Sequence, residues 1–178
     1  MKAEDIADLK EMCEEGEITF LDNKYDAAII GIFSRFGESD MPCYDIEKIA
    51  KIEGKPLEAE DYESMEFYAS ATLTIKDIDN VALILKKSIE EIGEEFPNVL
   101  APDGYEDTCM GIIIRDIPIA AFNKDSIVAL LAKDFSVDPS EEDEEEERDV
   151  YFEAVEYFDY NIIGAWMGET TPAFIWTY

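Results

Sequence analysis

The chain contains no histidine. That absence removes the imidazole base of Ser–His and Cys–His nucleophilic sites, and the commonest nitrogen ligand of zinc. Cysteine is scarce as well. Cys13, Cys43 and Cys109 are scattered, odd in number, and form no C-x-x-C pair. Such spacing fits neither a disulfide framework nor a zinc centre, and it suits a reducing cytoplasm. No apolar run approaches the roughly 18 residues that a membrane span needs. The N-terminal MKAEDIADLKEMCEEGE is acidic and amphipathic, unlike a secretion signal. Positive charge is the next shortage: 14 Lys and Arg stand against 44 Asp and Glu, a formal charge of -30 at pH 7. Binding to free nucleic acid needs clustered bases against phosphate and is all but excluded; anionic lipid is disfavoured on the same ground. The expectation is a soluble cytoplasmic protein with no cofactor, no metal, and no direct hold on nucleic acid or membrane.

What is present suffices for a core. The 178 residues are 47% hydrophobic and 12% aromatic. A chain of this length buries about 70% of its extended surface on folding, so whole-chain disorder is out. The sequence also repeats itself. Tyr25, Gly31, Ile32 and Arg35 recur with the same spacing as Tyr105, Gly111, Ile112 and Arg115. YDIEKIA from Tyr44 then aligns with FNKDSIV from Phe122, and YESMEFY from Tyr62 with FEAVEYF from Phe152. Three blocks in one order predict an internal duplication, and two copies are too few for a solenoid.

Each copy reads alike. The apolar runs AIIGIF and CMGIII suit buried strands, and the turns FGESDMP and RDIP lead onward, the second into a hairpin through IAAF. Asp45 and Asn123 sit at N-cap positions before the helices IEKIAKI and KDSIVALLAKD. Further helices are predicted over 58–70 and 144–160, and a strand at ATLTIK. Residues 3–15 place Ile6, Leu9 and Met12/Cys13 on one stripe of an acidic helix. Over 77–97, Ile78, Val81, Leu85, Ile89 and Ile92 share a helical face. The fold class predicted is α+β, with two related α/β lobes of mixed or antiparallel sheet joined by that amphipathic helix. The boundaries are an N-terminal helix over 1–16, a first repeat over 17–76, the connecting helix over 77–97, and a second repeat over 98–178.

The tail EAVEYFDYNIIGAWMGETTPAFI resembles a family of small, uncharacterised phage-encoded proteins. Members look like Y-D-x-A-I-I-G, a later Y-D before a helix, and then E-A-x-E-Y-F-x-x-N-x-x-G-A-W-x-G-x-x-T-P-x-F. Here the pattern stands at Tyr25, Asp26, Ala28 to Gly31, Tyr44 and Asp45, and again at Glu153, Ala154, Glu156 to Phe158, Tyr160, Asn161, Gly164 to Trp166, Gly168, Thr171, Pro172 and Phe174. The first copy lacks the Gly-Trp-Gly-Thr-Pro ending. The resemblance implies a phage or prophage origin, a place in the host-cell cytoplasm and a host-directed role, and it implies no chemistry.

The strongest local signal is DPSEEDEEEERD, with nine acids and one Arg in twelve residues. First-turn carboxylates favour the helix that follows, which explains the end of the run and not its length. It reads either as a solvated segment or as a contact surface. It has no Gly at the sixth position of a calcium loop, and Asp77 to Asn80 runs on into apolar residues. GAWMGETTP lacks the Lys and the spacing of a phosphate loop. Gly164 and Gly168 read as turn and close-packing glycines, Trp166 as core, Asn161 as part of the same motif, and Pro172 as the start of the last strand. Arg35 and Arg115, two of the chain's three arginines, read as internal ion-pair anchors beside the repeated Gly31 and Gly111. Paired carboxylates could in principle run glycoside hydrolysis or bind Mg²⁺, but with 44 acids every spacing arises by chance. No catalytic residue is assigned, and no enzyme is expected.

The function expected is that of a DNA mimic. Duplex DNA carries one charge per roughly 1.7 Å of axis, so the net charge matches about 50 Å, or roughly 15 base pairs. The partner would be a host DNA- or RNA-binding protein of restriction, CRISPR or repair type. Its contacts would be Glu4, Asp5, Asp8, Glu11, Glu14 and Glu15 of the first helix, with Asp138, Glu141, Glu142, Asp143, Glu144, Glu145, Glu146, Glu147 and Asp149 of the acidic run. The alternative is a phage accessory module that binds protein through a conventional surface, its charge serving solubility. A homodimer through the amphipathic first helix is a further association the pattern allows.

Overall fold

Six short apolar segments close into one barrel. The computed structural model describes residues 3–14, 18–54, 80–136 and 150–177. The strands are β1 (Ile29–Ser34), β2 (Met41–Asp45), β3 (Ala82–Leu85), β4 (Cys109–Ile113), β5 (Ile119–Asn123) and β6 (Ala173–Trp176). They are hydrogen-bonded in chain order, and β6 returns to β1. β2 runs parallel to β3 and β5 to β6, while the other four pairings are antiparallel.

Strand alternation splits the core in two. Ile30, Phe33, Cys43, Ala82, Ile84, Ile113, Ile119, Ala121, Ala173 and Ile175 fill the interior. Their neighbours Ile29, Ile32, Tyr44, Leu83, Leu85, Ile112, Ala120, Phe122 and Phe174 face outward, under the helices. Strands buried on both faces read as continuous apolar runs, which is why AIIGIF and CMGIII carry so little polar alternation.

The repeated glycines mark where the wall is tightest. β1 and β4 each carry a bulge, between Ile29 and Gly31 and between Cys109 and Gly111. A Cβ on Gly31 (φ +155°) would lie 2.4 Å from the Trp176 carbonyl oxygen of β6; one on Gly111 (φ +144°) would lie 2.1 Å from that of Leu85 in β3. Only glycine allows both that approach and that backbone.

Two expectations are corrected here. The halves do not form separate lobes. β3 of the first half pairs with β4 of the second, and β6 pairs with β1, so neither half closes a sheet alone. The repeated strings share local chemistry within a single barrel. Nor do residues 77–97 form one connecting helix. Ala82–Leu85 is a strand with inward Ala82 and Ile84 and outward Leu83 and Leu85. Helical spacing there was a by-product of a run that is apolar throughout, and Ser88 restarts the chain as a helix.

The helices are α1 (Ala3–Glu14), α2 (Ile46–Ile52), α3 (Ile89–Glu95), α4 (Lys124–Phe135) and α5 (Val150–Tyr157). Asp45 caps α2 and Asn123 caps α4, accepting from the Lys48 and Ser126 amides. Ser88 and Glu91 form a reciprocal capping box at the start of α3. The helix expected over 144–160 is helical from Val150 and widens into a π turn over Phe158–Ile162. The expected helix over 58–70, the strand at ATLTIK and the run from Asp138 to Asp149 lie outside the described residues. No helix among the described residues is long and apolar enough to cross a membrane.

Candidate interaction surface and the arginine clamp

The two repeated arginines leave β1 and β4 at the same end of the barrel and meet on one carboxylate. Arg115 donates from Nη1 to Glu38 Oε1 at 3.1 Å and from Nη2 to Glu38 Oε2 at 3.1 Å. Arg35 donates to the same Glu38 from Nη1, to the Thr171 carbonyl from Nε at 2.8 Å, and to the Glu169 carbonyl from Nη2 at 2.6 Å. Arg35 is buried, at 8% exposure, and is fully engaged in that role. Burial pushes the Glu38 carboxyl up, but hydrogen bonds from Arg115 and Arg35, with their charge, outweigh it and hold it below the ordinary carboxylate value.

The turn before β6 is pinned by this clamp. Thr171 Oγ1 donates to the Gly168 carbonyl at 2.6 Å and accepts from the Met167 amide at 2.8 Å. Gly168 takes φ +103°, and a Cβ on Gly164 would lie 2.7 Å from the Tyr160 carbonyl oxygen. Asn161 Nδ2 donates to the Tyr157 carbonyl, and Pro172 is buried immediately before β6. Trp166 departs from the expectation of a core residue: it is 54% exposed. Its ring lies over the Arg35 guanidinium, 5.6 Å from centroid to carbon, and 6.2 Å from the Phe36 ring. The large side chain has a cation to cover, so it sits outside the barrel.

Five lysines follow the same habit. Lys10 pairs with Asp26 at 2.6 Å, Lys24 with Glu53 at 2.7 Å, Lys86 with the buried Asp45 at 3.0 Å, and Lys124 with Asp159 at 2.8 Å. Lys87 is paired with Glu95. These seven bases are thus drawn onto the chain's own acids, while Lys51 and Lys133 stand exposed among the surface carboxylates.

On α1, Ile6, Leu9 and Cys13 are buried against the barrel while Glu4, Asp8 and Glu11 are exposed and Asp5 is half-buried. The apolar stripe is therefore spent within the chain, and a dimer would have to use another face. Glu14 ends the helix; Glu15 and the predicted contacts Asp138 to Asp149 lie outside the described residues. Sequence reasoning passed over two further acidic stretches: Glu90, Glu91, Glu94 and Glu95 of α3, and Asp103, Glu106 and Asp107 before β4, all exposed. For the first, the Ser88-to-Glu91 capping box carried the signal. Glu91 is held below its ordinary value by accepting from the Ser88 amide and hydroxyl.

Aromatic side chains border these acids. Tyr105 is raised by burial, with Tyr157 and Asp134 close enough to add to the shift. Tyr157 stands edge-on to Phe135, centroids 5.6 Å apart, and Tyr151, Phe152 and Tyr160 are exposed on α5 and its π turn. The thiols offer little nucleophilic power: burial raises Cys13, Cys43 and Cys109 alike, keeping them protonated. Among the described residues no group of three Cys, Asp or Glu is placed to hold a metal ion. The arrangement is equipped to present negative charge and aromatic surface. No protein-family model, curated protein or solved structure matches the chain.

Proposed function

We propose that this protein is an acidic decoy that acts as a DNA mimic. It would occupy the nucleic-acid cleft of a host restriction, CRISPR or repair protein in the cytoplasm of a phage-infected cell. The observation that carries the reading is the segregation of charge. Lys10, Lys24, Lys86, Lys87, Lys124, Arg35 and Arg115 are each tied to a carboxylate of the chain itself, while acids populate the exposed faces of α1 and α3.

Spacing supports it. Glu4, Asp5, Asp8 and Glu11 span about 10 Å of helix axis, or about one carboxylate per 3.5 Å, close to the roughly 3.4 Å per phosphate of one DNA strand. Opposed fields would speed encounter with a basic cleft, and the neighbouring aromatics would add short-range fit. The test is a pull-down from bacterial lysate, eluted in parallel with duplex DNA and with salt. DNA-binding enzymes released by both are expected. Partners released by neither would overturn mimicry.

A protein adaptor is the second reading, and the exposed Tyr151, Phe152 and Tyr160 favour it. An interface built on those rings alone would hold as salt rises, whereas a decoy complex should weaken steeply.

A further inference from the structure

We infer that Glu38 is a latch across one mouth of the barrel, and that this end opens as a unit, with the rest still folded, when its carboxylate leaves the two arginines. The inference goes beyond the decoy reading and does not depend on it. Strand phase puts the arginines over the interior. Phe33 of β1 and Ile113 of β4 point inward, and side chains two residues apart share a face. Arg35 and Arg115 therefore continue those inward rows just past the strand ends. In a closed ring of six strands bonded in chain order, β1 and β4 stand opposite each other. The bridge from Arg35 through Glu38 to Arg115 thus crosses the mouth.

The two ends of the barrel are fastened differently. At the far end β2 runs straight into α2 and β5 into α4, each through a capping side chain. The Thr177 amide and hydroxyl there both donate to Asp125 at 2.8 Å. At the mouth, Glu38 ties the turn between β1 and β2 to Arg115, which follows β4, and Arg35 holds the Thr171 and Glu169 carbonyls before β6. One chain of side-chain contacts therefore links three turns, and it passes through a single carboxylate. That carboxylate rides on a surface turn: Gly37 beside it takes φ +76°, and a Cβ there would meet nothing within 4 Å. Water reaches the latch, since the Glu38 and Arg115 side chains are 22% and 37% exposed. Segments held in this way open locally at less cost than the strands they cover. Behind the latch, Met41 packs against the interior cluster, and Cys43, two residues further along β2, is fully buried within it.

Cys43 supplies the readout. The full chain is treated with iodoacetamide in a series of dilute urea solutions, and modification of Cys43 is followed by peptide mass spectrometry. In Glu38→Ala the Cys43 rate should rise about tenfold or more over the parent and stay nearly flat across the series, because opening one end exposes little surface. If that variant fails to fold, Arg115→Gln, which leaves Glu38 on Arg35, carries the same comparison at a smaller ratio. An unchanged Cys43 rate would overturn the latch. So would a faster rate that climbs with urea as steeply as global unfolding does, because Glu38 would then support the whole fold and not one end of it.

Discussion

Two patches of this molecule are built from the same parts and use them in opposite ways. At the barrel's end, two guanidinium groups, the Glu38 carboxylate and the rings of Phe36 and Trp166 are bound to one another. Along α5, the rings of Phe152 and Tyr160 and the carboxylate of Glu156 are turned toward solvent. The first patch completes its chemistry inside the chain and therefore contributes to stability. The second is mostly exposed, with Tyr160 at 84%, and an exposed ring contributes little to stability. Arginine is what separates them, and the described chain places its own arginines at the first patch alone.

The largest effect is expected from breaking the closed patch. Arg35→Ala removes a buried cation, strips Glu38 of one partner, and orphans the Thr171 and Glu169 carbonyls that hold the turn before β6. Loss of one member of a buried pair typically costs about 3 kcal/mol or more. Urea unfolding should report a loss of that order. A variant within about 1 kcal/mol of the parent would mean that the clamp is ornamental.

Glu38 allows a finer test. Its folded pKa lies below the unfolded carboxylate value of 4.5. A group depressed on folding contributes stability that is fully present above its unfolded pKa and is lost as pH falls through the folded one. Glu38→Gln should therefore be less stable than the parent at pH 7 by about 1–2 kcal/mol. The gap should close as the pH drops below the ordinary carboxylate range. Comparing parent with variant removes the background effect of neutralising so many other acids. A gap constant down to acid pH would mean that shape, and not charge, holds the loop.

How much of this was legible in the residues depends on the range of the interaction. The N-caps Asp45 and Asn123, the buried stripe of α1 and the strand runs at AIIGIF and CMGIII are local patterns, and they stand where the sequence puts them. Barrel closure is not local: it depends on β3 meeting β4 and β6 meeting β1, and no short window contains both partners. Ala82–Leu85 deceived because a segment buried on both faces satisfies helical and extended spacing alike. Trp166 deceived because size suggests a core, whereas its partner, Arg35, lies far away in the chain. The meeting of Arg35 and Arg115 on Glu38 was half visible, since Glu38 follows Arg35 by three residues and only the fold could bring Arg115 to it.

Trp166 gives the next effect in size. Its ring covers a guanidinium at 5.6 Å but is more than half exposed, and such contacts contribute about 0.5–1 kcal/mol. Trp166→Ala should lower stability by that amount. It should also blue-shift none of the remaining tryptophan emission, because Trp176, bonded through Nε1 to Ser34 Oγ, belongs to β6 and does not rest on Trp166. A shift in Trp176 emission would mean that the turn and the barrel strand move together, extending the closed patch into the wall.

The smallest stability change is expected at Tyr160, 84% exposed. Tyr160→Leu alters a side chain that is 84% exposed, and surface substitutions of this kind stay within about 0.5 kcal/mol. The anchor of that segment is Phe158 on Phe174, which the substitution leaves in place. Thermal melts of parent and variant should therefore superimpose. If Tyr160→Leu instead destabilised the fold by more than about 1 kcal/mol, the ring would be packed against the chain in solution. The α5 face would then be a second closed patch, its aromatics spent on the fold as Trp166 is spent on Arg35, and the contrast between the two regions would collapse.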